Sequence, residues 1–249
     1  MDILQNMNNH VPNCVNIVCE GNISHWHIVF KQIHLFLDQV DNSAIFHIEL
    51  NHSTDEFVSL KFYPKSDLEL DDFYLIWKKK VPQLDTQCFT YNISQISTTP
   101  SPCKTSKFSV SYVLSVFIVS ELRHSETTID SILLIGLKLV LGFKSVLPDN
   151  LKKDLVSSQI EFRIPNVFLE QVLTQNQSII TEIISSLHFP QLHLKSWIEA
   201  CCYALSKETA DYFNLKTTAH RILYLINIQL GLDEALSTII NYAFLNVLI

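Results

Sequence analysis

Apolar residues along the chain follow two regimes. Between residues 24 and 42, Ile28, Phe30, Ile33, Leu35, Phe36, Leu37 and Val40 recur at intervals of three and four, with Ser24 placed to cap. The spacing predicts a helix that ends near Asp41 and Asn42. Residues 44–50 and 57–63 alternate instead, with Glu49, Asn51 and Lys61 on the intervening positions, which is strand patterning. Ser53 followed by Glu56 offers the same region a helix start of the capping-box type. From Ser66 a further apolar face runs through Leu68, Leu70, Phe73, Tyr74, Ile76 and Trp77, and Lys78, Lys79 and Lys80 suit the carbonyl end of such a helix.

Beyond residue 107 the period is helical throughout. The stretches 108–122, 128–143, 166–187, 192–205, 207–213, 215–230 and 232–248 each carry apolar residues at helical spacing. Pro148, Pro165, Pro190 and Gly231 mark boundaries, and Asp149 or Asn150 caps a short helix through Val156. Residues 83–107 are rich in Ser, Thr and Pro and read as a long loop. Residues 1–23, with many Asn plus Pro12 and Gly21, read as a flexible leader. The expected fold is an all-α multi-helix array in a single domain over residues 24–249. The alternative is a small α+β N-terminal part followed by a helical domain, which the alternation at 44–63 would require.

Two segments predict burial. Residues 128–143 are apolar on nearly every side, so that helix sits in the centre of the protein or against a partner. The last residues, Ala243, Phe244, Leu245, Val247, Leu248 and Ile249, call for docking on the chain's own core or on another chain.

Composition narrows the function. Hydrophobic residues make up 47% and charged residues 17% of the 249 residues, which excludes a disordered polyelectrolyte. Lys and Arg number 18 against 25 Asp and Glu, a net charge of −7, so the basic stripe of a nonspecific nucleic-acid binder is missing. So few charges imply either that part of the surface is covered by a partner or that Asn, Ser, Thr and Gln cover it. The N-terminus lacks signal-peptide character, and no apolar run reaches the length needed to span a bilayer. The six cysteines have no framework spacing and are expected to be free thiols in a reducing compartment.

Candidate chemistry is sparse. Gly21, Gly136, Gly142 and Gly231 stand singly, so no phosphate cradle can be assembled. Cys14, Cys19, His25 and His27 have the ligand types of a zinc site but not one of its strong spacings, and His47 and His52 are weaker candidates for a metal completed by a partner. Pro102-Cys103-Lys104-Thr105 resembles the catalytic cysteine loop of the autophagy E2-like enzymes, although Ser101 stands where that family has His. In that reading Lys104 and Lys107 would depress the thiol pKa. The pairs Glu121 with His124 and Glu199 with Cys202 lack a pocket-defining motif, and no catalytic residue is assigned from sequence.

In length, Asn/Ser-rich composition and helix layout from Ser24 to Ile249, the chain resembles the bridging subunits of shelterin, the telomere complex, as in fission yeast. That resemblance implies a fold similar to the homodimerising helical domain of telomeric repeat-binding factors. It also implies a nuclear, telomeric, non-catalytic adaptor that joins two proteins by taking their peptides into helix-lined grooves. The dimer face would comprise Ile28, Phe30, Ile33, Leu37 and Val40 with Leu134 and Leu137. Trp26, Phe73, Tyr74, Trp77 and Trp197 would be the partner anchors. No cofactor is intrinsic in this reading, but a zinc shared with a partner is implied, with His47, His52, Cys14 and Cys19 as its candidates. Neither nucleic acid nor membrane is a direct partner. The alternatives are an E2-like conjugating enzyme using Cys103 and a structural subunit whose helices assemble further.

Overall fold

Alternation along the first strand, β1 (Asn13–Glu20), puts Val15, Ile17 and Cys19 on one face, all fully enclosed. A computed structural model describes residues 13–39, 45–53, 55–63, 75, 89–97, 109–157, 165–208 and 212–248 of the chain. From β1 the chain passes a single 3-10 turn (Ile23–His25), where the Asn22 side chain accepts from the Ser24 amide, into α1 (Trp26–Gln39). Strands β2 (Ile45–Asn51) and β3 (Phe57–Tyr63) follow as an antiparallel pair, and β4 (Thr90–Ser97) closes a four-stranded antiparallel sheet of order β2-β3-β1-β4. Glu56 does not start a helix; its carboxylate accepts from the Ile23 amide at 2.7 Å and ties the hairpin to the start of α1.

Register aligns the apolar positions in rows. Phe46, Phe62 and Val15 lie across one row, Ile48, Leu60 and Ile17 across the next, and Leu50, Val58 and Cys19 across the third. All are buried, and α1 adds Trp26, Val29, Phe30, Ile33 and Phe36 to the same core, with the Phe36 ring edge-on to Phe62 at 5.5 Å. Each such side chain contributes about 1.5–3 kcal/mol by leaving water.

The remaining described elements are helices: α2 (Val110–Leu122), α3 (Ile129–Ser145), α4 (Asp149–Ser157), α5 (Asn166–Gln175), α6 (Gln177–His188), α7 (Leu192–Ser206), α8 (Tyr212–Gln229) and α9 (Glu234–Asn246). Helix α3 is central: Ile132, Ile135, Leu139, Val140, Leu141 and Phe143 are buried, and Trp197 of α7 donates from Nε1 to the Leu139 carbonyl at 3.0 Å. Most of its apolar surface is therefore covered within the chain, with Leu133 and Leu134 half-buried.

The expectation of an all-α array is corrected by the sheet, and the layout follows the α+β alternative instead. The leader expectation is corrected over residues 13–23: Asn13 and Asn16 sit inside the central strand, where Asn16 Oδ1 accepts from Ser59 Oγ at 3.1 Å on β3. Cys14 and Val18 put apolar residues on the same face of β1 as Asn16 and Glu20, so the strand shows the alternation less clearly than its neighbours do. Residues 90–97 of the expected loop form β4, and residues 1–12, 83–88 and 98–107 lie outside the described residues. The helix expected over 166–187 is two, broken at Asn176, whose Nδ2 donates back to the Val172 carbonyl at 2.8 Å. The helix expected over 207–213 does not form as one: Lys207 is the C-cap of α7 and Tyr212 opens α8.

Two tethers hold the helical part in register. Lys144, buried near the end of α3, points its ammonium at the last turn of α9 and donates to the carbonyls of Phe244, Leu245 and Val247, the last at 2.7 Å. Burial, with Lys152 nearby, pulls its pKa down to about 8. A cation on the carbonyl end of a helix satisfies groups that the helix cannot pair itself. Gly231 ends α8 with a positive φ of 61° and a Schellman pair, Leu232 N to Asn227 O and Gly231 N to Ile228 O, both 3.0 Å. A Cβ there would stand 2.0 Å from the Leu50 carbonyl oxygen of β2, so only glycine lets α8 meet the sheet edge.

Gly231→Ala is expected to cost about 2–4 kcal/mol, from the left-handed backbone and the collision with Leu50 together. Lys144→Met, which keeps the stem and removes the donor, is expected to cost about 1–3 kcal/mol. Urea unfolding midpoints at neutral pH check both; wild-type midpoints would refute the tethers.

Candidate functional site

Helix α7 presents His193, Ser196, Ala200 and Tyr203 at intervals of three, four and three, which places them on one face, with Glu199 alongside. Across from them α2 contributes Tyr112, Val113 and Val116, and the two helices enclose a groove of about 560 Å³. That is the size of a small-molecule site, with an apolar floor and a few convergent polar groups. Burial of His193, reinforced by the Arg123 guanidinium and opposed by Glu121, holds its pKa below the usual 6.5. The imidazole is therefore uncharged at neutral pH. Burial raises the Tyr112 phenol above its ordinary value, so it remains a hydroxyl donor. Lys207 lies over the Tyr203 ring at 4.3 Å and fixes one lip.

Behind this groove a polar cluster joins α2 and α8 to the free edge of β2. His47 Nδ1 faces the Ser111 hydroxyl and Gln229 Nε2, the latter at 2.8 Å, while His47 Nε2 lies 3.4 Å from Glu49 Oε1. The arrangement fits an imidazole with its proton on Nε2, donating to Glu49 and accepting on Nδ1. Ser115 Oγ donates to the Ser111 carbonyl at 2.9 Å and accepts the Ile48 amide of β2 at 3.1 Å. Gln229 is fully enclosed. Glu49 also accepts from Lys61 Nζ at 2.9 and 3.0 Å. The His47 hydrogen bond, helped by Lys61 and opposed by burial, brings the Glu49 pKa down to about 2. Although Ser111, His47 and Glu49 have the residue types of a hydrolytic relay, His47 and Ser111 are 7% and 9% exposed and line none of the described cavities. Their role is to satisfy the buried edge of the sheet and to seat the first turn of α2, from which Tyr112 enters the groove.

The residues singled out from sequence are dispersed. Phe30, Ile33 and Leu137 are buried in the chain's own core, and Ile28, Leu37 and Leu134 pack against it, so no face is left for the expected dimer from Phe30 and Ile33; Val40 lies outside the described residues. Trp26 and Trp197 are fully enclosed core residues rather than partner anchors, Trp26 with Nε1 on the Gly21 carbonyl at 2.9 Å. Phe73, Tyr74, Trp77 and Cys103 lie outside the described residues. Cys14 and Cys19 are five apart on one strand and so face opposite sides, which prevents them from sharing a metal. Burial raises the Cys19 thiol to about 12, and His27 Nδ1 is held by the Ser24 carbonyl at 2.9 Å. His52 is buried with its Nε2 unpartnered, and among the described residues no three His, Cys, Asp or Glu side chains form a metal-holding group. Sequence reasoning missed the α7 face, although its spacing is legible, and the Ser111, Ser115 and Gln229 set, signalled only by polar residues inside apolar helices.

No family model matches the chain, and no curated protein does. Among solved structures, the fold is similar to that of "Pyridine synthase, TbtD, from thiomuracin biosynthesis", with a TM-score of 0.53 and 10% identity over 94% of this chain and 97% of that one. At that coverage the likeness is one of fold over most of both chains.

Glu49 has a folded pKa below its ordinary 4.5, so its contribution to stability is complete above that value and is lost as pH falls towards about 2. Glu49→Gln is expected to lower the melting temperature at pH 7, with the gap to wild type closing between pH 4.5 and 2. Thermal unfolding across that range checks it; a gap that does not change with pH would count against the ion pair.

Proposed function

We propose that this chain is an enzyme that moves a proton on a largely aliphatic small molecule held between α2 and α7, with His193 as general base. One observation carries the reading: a groove of ligand size contains an imidazole that burial and Arg123 keep uncharged, and hence able to accept a proton. Tyr112 serves as a hydroxyl donor to an oxygen or nitrogen of the substrate, and Tyr203 and Ser196 offer further hydroxyls. Glu199, on the exposed rim, is 3.8 Å from Lys195 and stands outside the proton path. The fold likeness to an enzyme named as a pyridine synthase supports catalysis over the non-catalytic adaptor expected from sequence. Of the residues the shelterin resemblance assigns to a dimer face, Phe30, Ile33 and Leu137 are buried in the core of this chain, which favours the enzyme reading.

His193→Gln, at a half-buried position, is expected to keep the fold and to lower turnover by about 10²–10⁴. The test offers the small-molecule extract of the source cells to wild type and to His193→Gln, with mass spectrometry following substrate loss and product gain. Imidazole NMR should place the His193 midpoint below 6.5. Equal conversion by the two proteins overturns the assignment. Binding in the groove with no conversion by either leaves the adaptor reading in its place.

A further inference from the structure

The groove does not end at His193. The same residue lines a second cavity of about 240 Å³ with Phe117, Glu121, Lys138, Glu182 and Leu194. Leu134 and Ile179 belong both to this cavity and to a third, of about 320 Å³, enclosed by α3, α5, α6 and α9. The third cavity is walled chiefly by aliphatic side chains, among them Leu133, Leu137, Leu173 and Ile180. The three spaces lie in series, the first and second meeting at His193 and the second and third at Leu134 and Ile179, from the phenols past the imidazole to aliphatic walls.

Its charge is one-sided. Among the described lining residues the carboxylates are Glu199, Glu121, Glu182 and Asp130, and the only full cation is Lys138, whose Nζ lies 2.6 Å from Glu121 and is spent there. Glu199 has Lys195 beside it, and Asp130 sits in the first turn of α3, where the helix dipole favours an acid. Glu182, exposed in the middle cavity, has no ion pair among the described residues. A free carboxylate between the proposed base and an aliphatic cavity selects a ligand with an ammonium group at its middle and hydrocarbon beyond it.

We propose that the substrate is an amine-bearing aliphatic compound, its reacting end in the α2–α7 groove, its ammonium at Glu182 and its alkyl tail over Leu134 and Ile179. This rests on the groove being the reaction site. It concerns which molecule enters, not how the proton moves, so the two readings fail separately. A linear alkylamine mimics the ammonium and tail without the reacting end.

Calorimetric titration of the full chain with butylamine, hexylamine, octylamine and decylamine, against the matching carboxylates, tests it. Affinity is expected to rise about three- to fourfold per methylene as the tail leaves water, and octylamine should bind at least tenfold more tightly than octanoate. Glu182→Gln should reduce octylamine affinity about fivefold or more while leaving the melting temperature unchanged, since the side chain is exposed. Ile179→Trp, also at an exposed position, should narrow the passage and remove the gain from hexylamine to decylamine while sparing butylamine. Amine and carboxylate series that bind alike, or affinities flat with chain length, overturn the proposal. Turnover lost in His193→Gln bears on the base, whereas a chain-length trend lost in Ile179→Trp bears on the tail site, so each reading has its own failure.

Discussion

A sheet edge buried under helices is affordable only if its backbone groups find partners, and in this protein the edge of β2 is the constraint on which the rest depends. Ile48 donates its amide to Ser115, and His47 on the same strand engages Ser111 and Gln229. An unpaired buried donor or acceptor costs about 1–3 kcal/mol, so each of these side chains is retained by what its loss would expose. The same contact line requires Gly231, because α8 comes so near the Leu50 carbonyl that no side chain fits between them. Sheet and helices are thereby fixed at one angle, and α2 receives its place relative to α7.

The candidate site inherits that placement. Tyr112 follows directly on Ser111, so the pin that holds the first turn of α2 to the sheet also holds a phenol in the groove. On the other wall, α7 is anchored through Trp197 to the carbonyl of Leu139 in the central helix. The two walls are therefore fixed to well-buried elements, β2 with its neighbours and α3. A groove between rigid walls costs little to organise when a ligand arrives. The buried polar pin and the open groove divide the labour: the first has its hydrogen bonds filled by the chain, while the second keeps His193 and Tyr112 facing space.

How much of this was legible from residues differs by element. Helices α2, α3, α7 and α9 announce themselves because their apolar period survives burial, and Gly231 marks a helix end whose left-handed backbone the structure contains. The pair β2 and β3 shows through alternation, since Glu49 and Lys61 bracket apolar neighbours. Strand β1 was hidden because Cys14 and Val18 interrupt the polar face that Asn16 and Glu20 would mark, and Asn16 finds its partner in Ser59, 43 residues on. The site was less visible still. His193, Ser196, Ala200 and Tyr203 share a face by simple arithmetic, but nothing in the spacing says that the opposite wall is Tyr112, Val113 and Val116.

By itself the sequence determined local geometry: which stretches coil, which extend, where glycine and proline interrupt, and that no glycine-rich cradle exists. These follow from interactions within a few residues, which periodicity records. Tertiary structure decided what those interactions cannot encode. It turned Trp26, Phe30 and Trp197 inward, set Cys14 and Cys19 on opposite faces, spent Ser111 and His47 on a buried edge, and left His193 beside an open groove. Whether a side chain is packed, paired or free depends on residues 60 to 180 positions away, and the pattern of one stretch carries no record of them.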